Sequence, residues 1–306
     1  MRCGNIFHSN ALFRILESTP GQTPCMAVAY DGDRPVAHML AMVRRMASFI
    51  PNRPITQCRI YGKGEYDDGC DKEKVFALML KAVVEKIKSK LCLYMEFSDI
   101  SPKMFGYKAF RENGFFHIPW QEIHNPLHHT KPEKLLTYKA RKRLAAAYRT
   151  GITVKEATSD TITNDFTAIL KRHSVTSIRR YIPDSKLFHD LMASGMCKVF
   201  TAYEKGIAKG GCACMYSEGN CYLWYVVSTR SIYKSRVNSI TIWSAIKDAY
   251  GKGCGHIYFM DIGLPFKRDR FRDFILSFGG RPYGTYRWFR FSIRWVNMLL
   301  SRLFHE

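Results

Sequence analysis

No apolar run in this chain of 306 residues approaches the ~18 residues that a membrane-spanning helix requires. The first residues, MRCGNIFHSNALFRILES, lack the continuous apolar core of a secretory signal, so the chain is expected to stay in the cytoplasm. Ten cysteines are present, but their spacings suggest no disulfide framework, and reduced, buried thiols fit that compartment. Cys212-Ala213-Cys214 places two thiols on one side of an alternating strand. No second Cys or His pair at zinc spacing accompanies them, so no metal is expected and both are read as core. His128-His129 lies in a polar, structure-breaking stretch and is read as linker, with metal binding as the other reading. RRM, KH, helix-turn-helix and zinc-finger signatures are all missing. Acidic residues are scarce as well, at 26 against 47 Lys and Arg. The resulting +21 calls for an anionic partner: a nucleic acid, an acidic membrane face or a phosphorylated substrate.

With 46% hydrophobic and 14% aromatic residues the chain has ample material for packed cores. Its most informative stretch runs from Cys221 to Gly280. CYLWYVVS reads as a buried strand, TRSIYKSRVNS as a basic connection and ITIWSAIKDAYGKG as a helix with glycine stops. HIYFMDIG is a second buried strand, and FRDFILSFGG is a short helix closed by two glycines. The same order occurs earlier: strand ITQCRIYG, loop GKGEYDDGCD, helix KEKVFALMLKAVVEKIKSK, strand LCLYMEFSDI and helix FGYKAFRENGFF. A glycine-marked β-hairpin precedes each copy, around Asp31-Gly32-Asp33 and Lys205-Gly206. A repeat at so long a period means a duplicated domain. The expectation is a mixed α/β (α+β) protein with mainly antiparallel sheets and two domains, 1–130 and 131–306.

The element order of each half resembles the N-acetyltransferase (GNAT) fold, and two such halves resemble the FemAB-like tandem acyltransferases. The resemblance is carried by Arg141-Lys142-Arg143 with Gly151 to Val154, Thr176 to Arg180, and the hairpin Ala202 to Gly206 with Gly210-Gly211. Tyr258 to Gly263 and Phe274 to Gly280 complete it. It covers the second half closely and the first half as a fold repeat. It implies transfer of an acyl or aminoacyl group to an amine, from acyl-CoA or aminoacyl-tRNA as donor substrate, with no tightly bound cofactor. A cell-envelope precursor would be the acceptor in the bridge-forming members. Two departures are visible. Phe274-Ile275 stands where the Fem pattern has Phe-Lys, and neither half carries the glycine-rich pyrophosphate loop.

Candidate site residues gather in the second half. Asp261 closes a buried strand, where a carboxylate can take a proton from an attacking amine or, alternatively, pair with Arg270 or Arg272. Glu96 is its counterpart in the first half. Alternation puts Trp224 and Tyr225 on opposite faces of their strand; Tyr225 is core or an acid for the leaving group. Backbone N–H groups from Val226 to Ser228 would stabilise a tetrahedral oxyanion. Arg230, Lys234 and Arg236, with Asn238 or Ser239 as helix N-cap, would hold the donor's phosphates; a solvated loop is the other reading. The first half's acidic loop makes a poor phosphate cradle. Arg179, Arg180 and Lys267 would grip an anionic acceptor or are surface charges.

Two further surfaces bear on partners. YKARKRLAAAYR is a basic helix suited to an RNA backbone, which makes a catalytically inactive tRNA-binding protein the rival reading. The C-terminal YRWFRFSIRWVNMLLSRLFHE mixes arginines with tryptophans and leucines. It is either a basic amphipathic helix for the inner, anionic membrane face or a terminal helix docked on its own domain.

Overall fold

The computed structural model describes residues 4–46, 55–88, 92–98, 105–175, 182–229, 234–260 and 270–304. In chain order a 3-10 turn, Ile6–His8, leads to α1 (Asn10–Glu17), β1 (Cys25–Asp31), β2 (Arg34–Arg45) and β3 (Thr56–Tyr61). Then come β4 (Glu65–Tyr66), α2 (Lys72–Lys88), β5 (Cys92–Ser98), α3 (Tyr107–Glu112) and β6 (Phe116–Pro126). α4 (Pro132–Leu135), α5 (Tyr138–Arg149), β7 (Thr153–Glu156), α6 (Asp160–Val175) and α7 (Ser185–Ala193) follow. The chain ends with β8 (Cys197–Glu204), β9 (Ile207–Ser217), β10 (Asn220–Ser228), α8 (Lys234–Gly251), β11 (His256–Phe259), α9 (Arg270–Leu276), β12 (Arg281–Phe291) and α10 (Arg294–Leu303).

Local chemistry sets several of these ends. Ser9 caps α1 by accepting from the Leu12 N–H, and Thr137 caps α5 by accepting from the Ala140 N–H. Gly151 ends the α5 segment in the left-handed region at φ 69°. The second hairpin turns through Lys205 (φ 50°) and Gly206 (φ 76°), the pair of positive values that a tight β-turn of this hand demands.

The chain divides into two compact units. The first comprises Met1–Trp120 and Gly284–Glu306, the second Gln121–Ile178 and Ile182–Tyr283. The division therefore departs from a single boundary near residue 130: the chain leaves the first unit within β6, between Trp120 and Gln121, and returns to it within β12, between Tyr283 and Gly284. In the first unit the strand order is β1-β2-β3-β5-β12, and β12 runs antiparallel to β5 with Phe289 opposite Glu96. In the second unit the order is β6-β11-β10-β9-β8-β7, and β6 runs antiparallel to β11 with His124 opposite Tyr258. Among the described residues parallel pairing is confined to β3 with β5 and β10 with β11, so both sheets are mixed and mainly antiparallel.

Each unit has its own core. In the first, α2 buries Phe76, Met79, Leu80, Val83 and Val84 against Met39, Ala41, Cys58, Ile60 and Phe97. In the second, α8 buries Ile242, Trp243, Ala245, Ile246 and Ala249 against Cys212, Cys214, Cys221, Leu223, Ile257 and Phe259. Each large aliphatic side chain so buried contributes about 1.5–3 kcal/mol. Cys212 and Cys214 are thus part of the apolar core, as alternation along β9 suggested. Among the described residues no helix is long and apolar enough to cross a membrane.

Candidate active site

The site is built on the middle of the second unit's sheet. β10 pairs along its length with β9, from Asn220 opposite Ser217 to Ser228 opposite Gly210. On its other edge β10 pairs with β11 only at Cys221, Leu223 and the Tyr222 between them. The next residue of the partner chain segment, Met260, has left the strand. Val226–Ser228 therefore have no second strand beside them among the described residues.

The parting coincides with a bulge. The β9–β10 register shifts between Leu223 and Tyr225, which makes Trp224 the extra residue. This overturns the expectation that Trp224 and Tyr225 face opposite ways. A bulge breaks the period of two, and the two rings lie 4.9 Å apart at 57°. Tyr225 is half-buried, with its ring edge-on to Phe188 of α7 at 5.5 Å.

α8 faces the same stretch, and two glycines make its approach feasible. A Cβ on Gly210 would lie 2.5 Å from Val237 Cγ1 in the first turns of α8 and 2.9 Å from the Val227 carbonyl oxygen. A Cβ on Gly211 would meet Phe166 of α6 at 2.6 Å and the Phe200 carbonyl oxygen at 2.6 Å. The Gly210-Gly211 pair thus lets helices close on the sheet beside the parted strands. Two polar atoms there are buried without a hydrogen-bonding partner: the Ser228 hydroxyl at the end of β10 and Asn238 Oδ1 on α8. A buried, unsatisfied polar group costs about 1–3 kcal/mol, so groups of this kind mark places where a ligand can repay the loss.

Of the residues singled out in the sequence, this region brings together Tyr225, Val226, Ser228, Arg236, Asn238 and Ser239. Val226 packs against the core of the unit. Asn238 and Ser239 do not cap α8. The helix is already formed at Lys234, and the buried Ser239 hydroxyl donates to the Ser235 carbonyl 2.7 Å away, one turn back. Lys234 opens the helix; its side chain lies outside the described residues, as do Arg230, Asp261, Lys267, Arg179 and Arg180. Ile275, at the position where the Fem pattern has lysine, is fully buried in the apolar core.

The corresponding region of the first unit is closed. β3 stays paired with β5 from Thr56 opposite Cys92 to Tyr61 opposite Ser98, and the Gly62 N–H extends the pairing to the Ser98 carbonyl at 2.8 Å. Glu96 is held in an ion cluster: its Oε1 accepts from Arg59 Nη2 and Arg287 Nη1, each at 2.7 Å. All three side chains are buried, and the Arg287 guanidinium lies 4.3 Å over the Trp120 ring. The acidic loop is spent on internal contacts. Glu65 accepts from the Asn5 N–H at 2.8 Å, and Asp67 pairs with Arg34 at 2.8 Å. Arg59 and Arg287 carried no signal in the sequence, since nothing local marks partners so far apart in the chain.

A strand order with a parallel pair that parts at a bulge beside a helix start defines a GNAT-type fold. Residues 134–268 match the family model of the acetyltransferase (GNAT) domain. That match lies within the second unit, and the chain as a whole shares its fold with tandem GNAT-type structures. Solved structures agree in fold. The crystal structure of FemX superposes with a TM-score of 0.64 at 12% identity, covering 97% of this chain and 95% of that one. The structure of L-PGS from Bacillus licheniformis gives 0.58 at 13%, covering both chains fully (100% each). A tandem GNAT protein from the clavulanic acid biosynthesis pathway gives 0.56 at 10%, covering 90% of this chain and 84% of that one. No curated protein sequence matches.

Proposed function

We propose that the second unit is an N-acyltransferase that moves an acyl or aminoacyl group from acyl-CoA or aminoacyl-tRNA to an amine. The observation that carries this reading is the parting of β10 from β11 after Leu223, beside the start of α8. Backbone N–H groups of Val226–Ser228 would meet the carbonyl of an activated ester and stabilise the oxyanion formed as the amine attacks. The positive end of α8, with Lys234 and Arg236, suits the donor's phosphates. Asp261 would accept the amine's proton and Tyr225 would protonate the departing thiolate or ribose oxygen. Arg179, Arg180 and Lys267 would hold an anionic acceptor. The test is a donor screen with acetyl-CoA, longer acyl-CoAs and charged tRNAs. A melting shift with one class of donor is expected; no response to any of them would contradict the proposal.

The acceptor is proposed to sit at an anionic membrane surface. α10 buries none of its residues, and Trp295, Met298, Leu299 and Leu303 are 52–70% exposed. Asn297 ties the opposite face down by donating to the Gly114 carbonyl at 3.0 Å. Arg294 and Arg302 flank the apolar stripe, the composition of an interfacial helix. Vesicles rich in anionic lipid should bind the protein and release it on Trp295→Glu with Leu299→Glu; unchanged sedimentation would exclude the membrane. One observation favours the rival reading of a tRNA binder without chemistry. α5 exposes Lys139, Arg141, Lys142 and Arg149 together with Tyr138 and Tyr148. Binding of bulk tRNA with a steep salt slope and no preference for the charged form would favour it.

A further inference from the structure

A second cavity lies in the second unit, lined by His124, Pro126, His128, His129, Leu135, His256 and Arg281 among others, with a volume of about 310 Å³. That is at the lower end of the ~300–1,000 Å³ typical of small-molecule sites. His124, His128 and His129, close together in sequence, meet the distant His256 there. The His124 and His256 rings lie 5.1 Å apart, His128 is 5.1 Å from His256, and His129 is 3.9 Å from His128. The topology causes this. β6 is the strand contributed by the first repeat, and its pairing with β11 sets His124 opposite Tyr258 and Pro126 opposite His256. His128-His129, read in the sequence as linker, continues from the end of β6 onto the same side.

The chemistry of the lining is one-sided. It contains no carboxylate and, beside the histidines, an arginine. Glu122 stands two residues back along β6 and is not in the lining. The His124 Nδ1 atom is buried without a hydrogen-bonding partner. His128 Nδ1 is spent on the Gly255 carbonyl at 3.0 Å. Among the described residues no group of His, Cys, Asp and Glu is arranged to hold a metal ion, and Arg281 would repel one. Rings that donate when protonated, around a guanidinium, suit a tetrahedral oxyanion instead.

We propose that this cavity binds a phosphate-type oxyanion through His124, His256 and Arg281, more tightly as pH falls, at a site separate from the acyl-donor site. The titratable and charged groups lining it are His124 from β6, His256 from β11, Arg281 from β12, and His128 and His129 after β6; Tyr258 and Tyr283 pack against the His124 ring at 5.7 and 5.0 Å. Tyr222 of β10 stacks on Tyr258 at 5.1 Å. Tyr258 is pushed up by burial and stays neutral throughout. His124 is held below the ordinary histidine range by burial, then by His256 and Arg281; His256 is lowered by burial and by His128. Both are thus neutral in the free protein near pH 7, and an anion that draws protons onto them binds with proton uptake.

Calorimetric titration with sodium sulfate, whose charge is constant across the range, tests this against sodium chloride at matched ionic strength. Affinity should rise about tenfold or more between about pH 7.5 and about pH 5.5, the effect of one protonation-state preference. His124→Gln and His256→Gln should remove the pH dependence, and the exposed Arg281→Gln, which does not endanger folding, should weaken binding at both pH values. Inorganic diphosphate should bind likewise and without competition from coenzyme A. Equal affinity at the two pH values, full affinity in Arg281→Gln, or displacement by coenzyme A would overturn the proposal.

Discussion

The two parallel strand pairs of this protein occupy matching places in its two halves, and they differ in how far they stay zipped. In the first unit β3 and β5 remain joined to Tyr61 and Ser98, and Arg59 and Glu96 within the paired stretch form a buried ion cluster with Arg287. In the second unit β10 and β11 part after Leu223 and Phe259, at a bulged Trp224. The difference is one of pairing: the first unit's strands stay closed beside a buried ion cluster, whereas the second unit's strands part beside the start of α8, and on the function proposed above that opening is where the donor would sit.

The sharpest way to break that comparison is to neutralise Asp261 and Glu96, the acidic residues that correspond in the two halves of the sequence. Asp261→Asn should lower kcat/KM by about 10²–10⁴-fold, the range for a general base. Glu96→Gln should leave kcat within about twofold, yet cost about 3–5 kcal/mol in urea unfolding, because two buried guanidiniums lose their counter-charge. Loss of activity in a folded Glu96→Gln protein would show that the first unit also does chemistry.

Acid should strike the first unit through His8. Its ring is fully buried, and burial, reinforced by His38, lowers its pKa to about 3 from the ordinary 6.5. The unfolded chain binds that proton first, so stability is complete above pH 6.5 and drains as pH falls towards 3, by up to about 5 kcal/mol. Chemical denaturation at stepped pH should show this slope, and His8→Asn should flatten it. The smallest effect is expected at Ser228. Ser228→Ala removes a buried unpartnered hydroxyl, so the protein should be stabilised by up to about 1 kcal/mol while donor affinity falls a few-fold. Unchanged donor affinity would detach Ser228 from the site.

Much of the fold was legible because hydrophobic periodicity and glycine-marked turns repeat in both halves. The Lys205-Gly206 turn and the strand–helix–strand order of both halves follow from local chemistry. The passage of β6 and β12 between the units does not. FFHIPWQEIHNP alternates as any edge strand would, and nothing in that pattern says which sheet receives it. The bulge at Trp224 is equally silent, since CYLWYVVS reads as regular strand, and it invalidated the opposite-face assignment of Trp224 and Tyr225. Asn238 and Ser239 resemble caps, but the core face of Val237, Ile240 and Trp243 extends the helix a turn beyond them. The histidine cavity needs partners more than a hundred residues apart, which only the pairing of β6 with β11 brings together.

The most direct measurement is amide hydrogen exchange of the whole chain with and without a saturating acyl donor. Protection should appear at Tyr225 to Ser228 and in the first turns of α8, and nowhere between Tyr61 and Gly64. Protection at the first unit's closed strands, or none along β10 while donor is bound, would contradict the account.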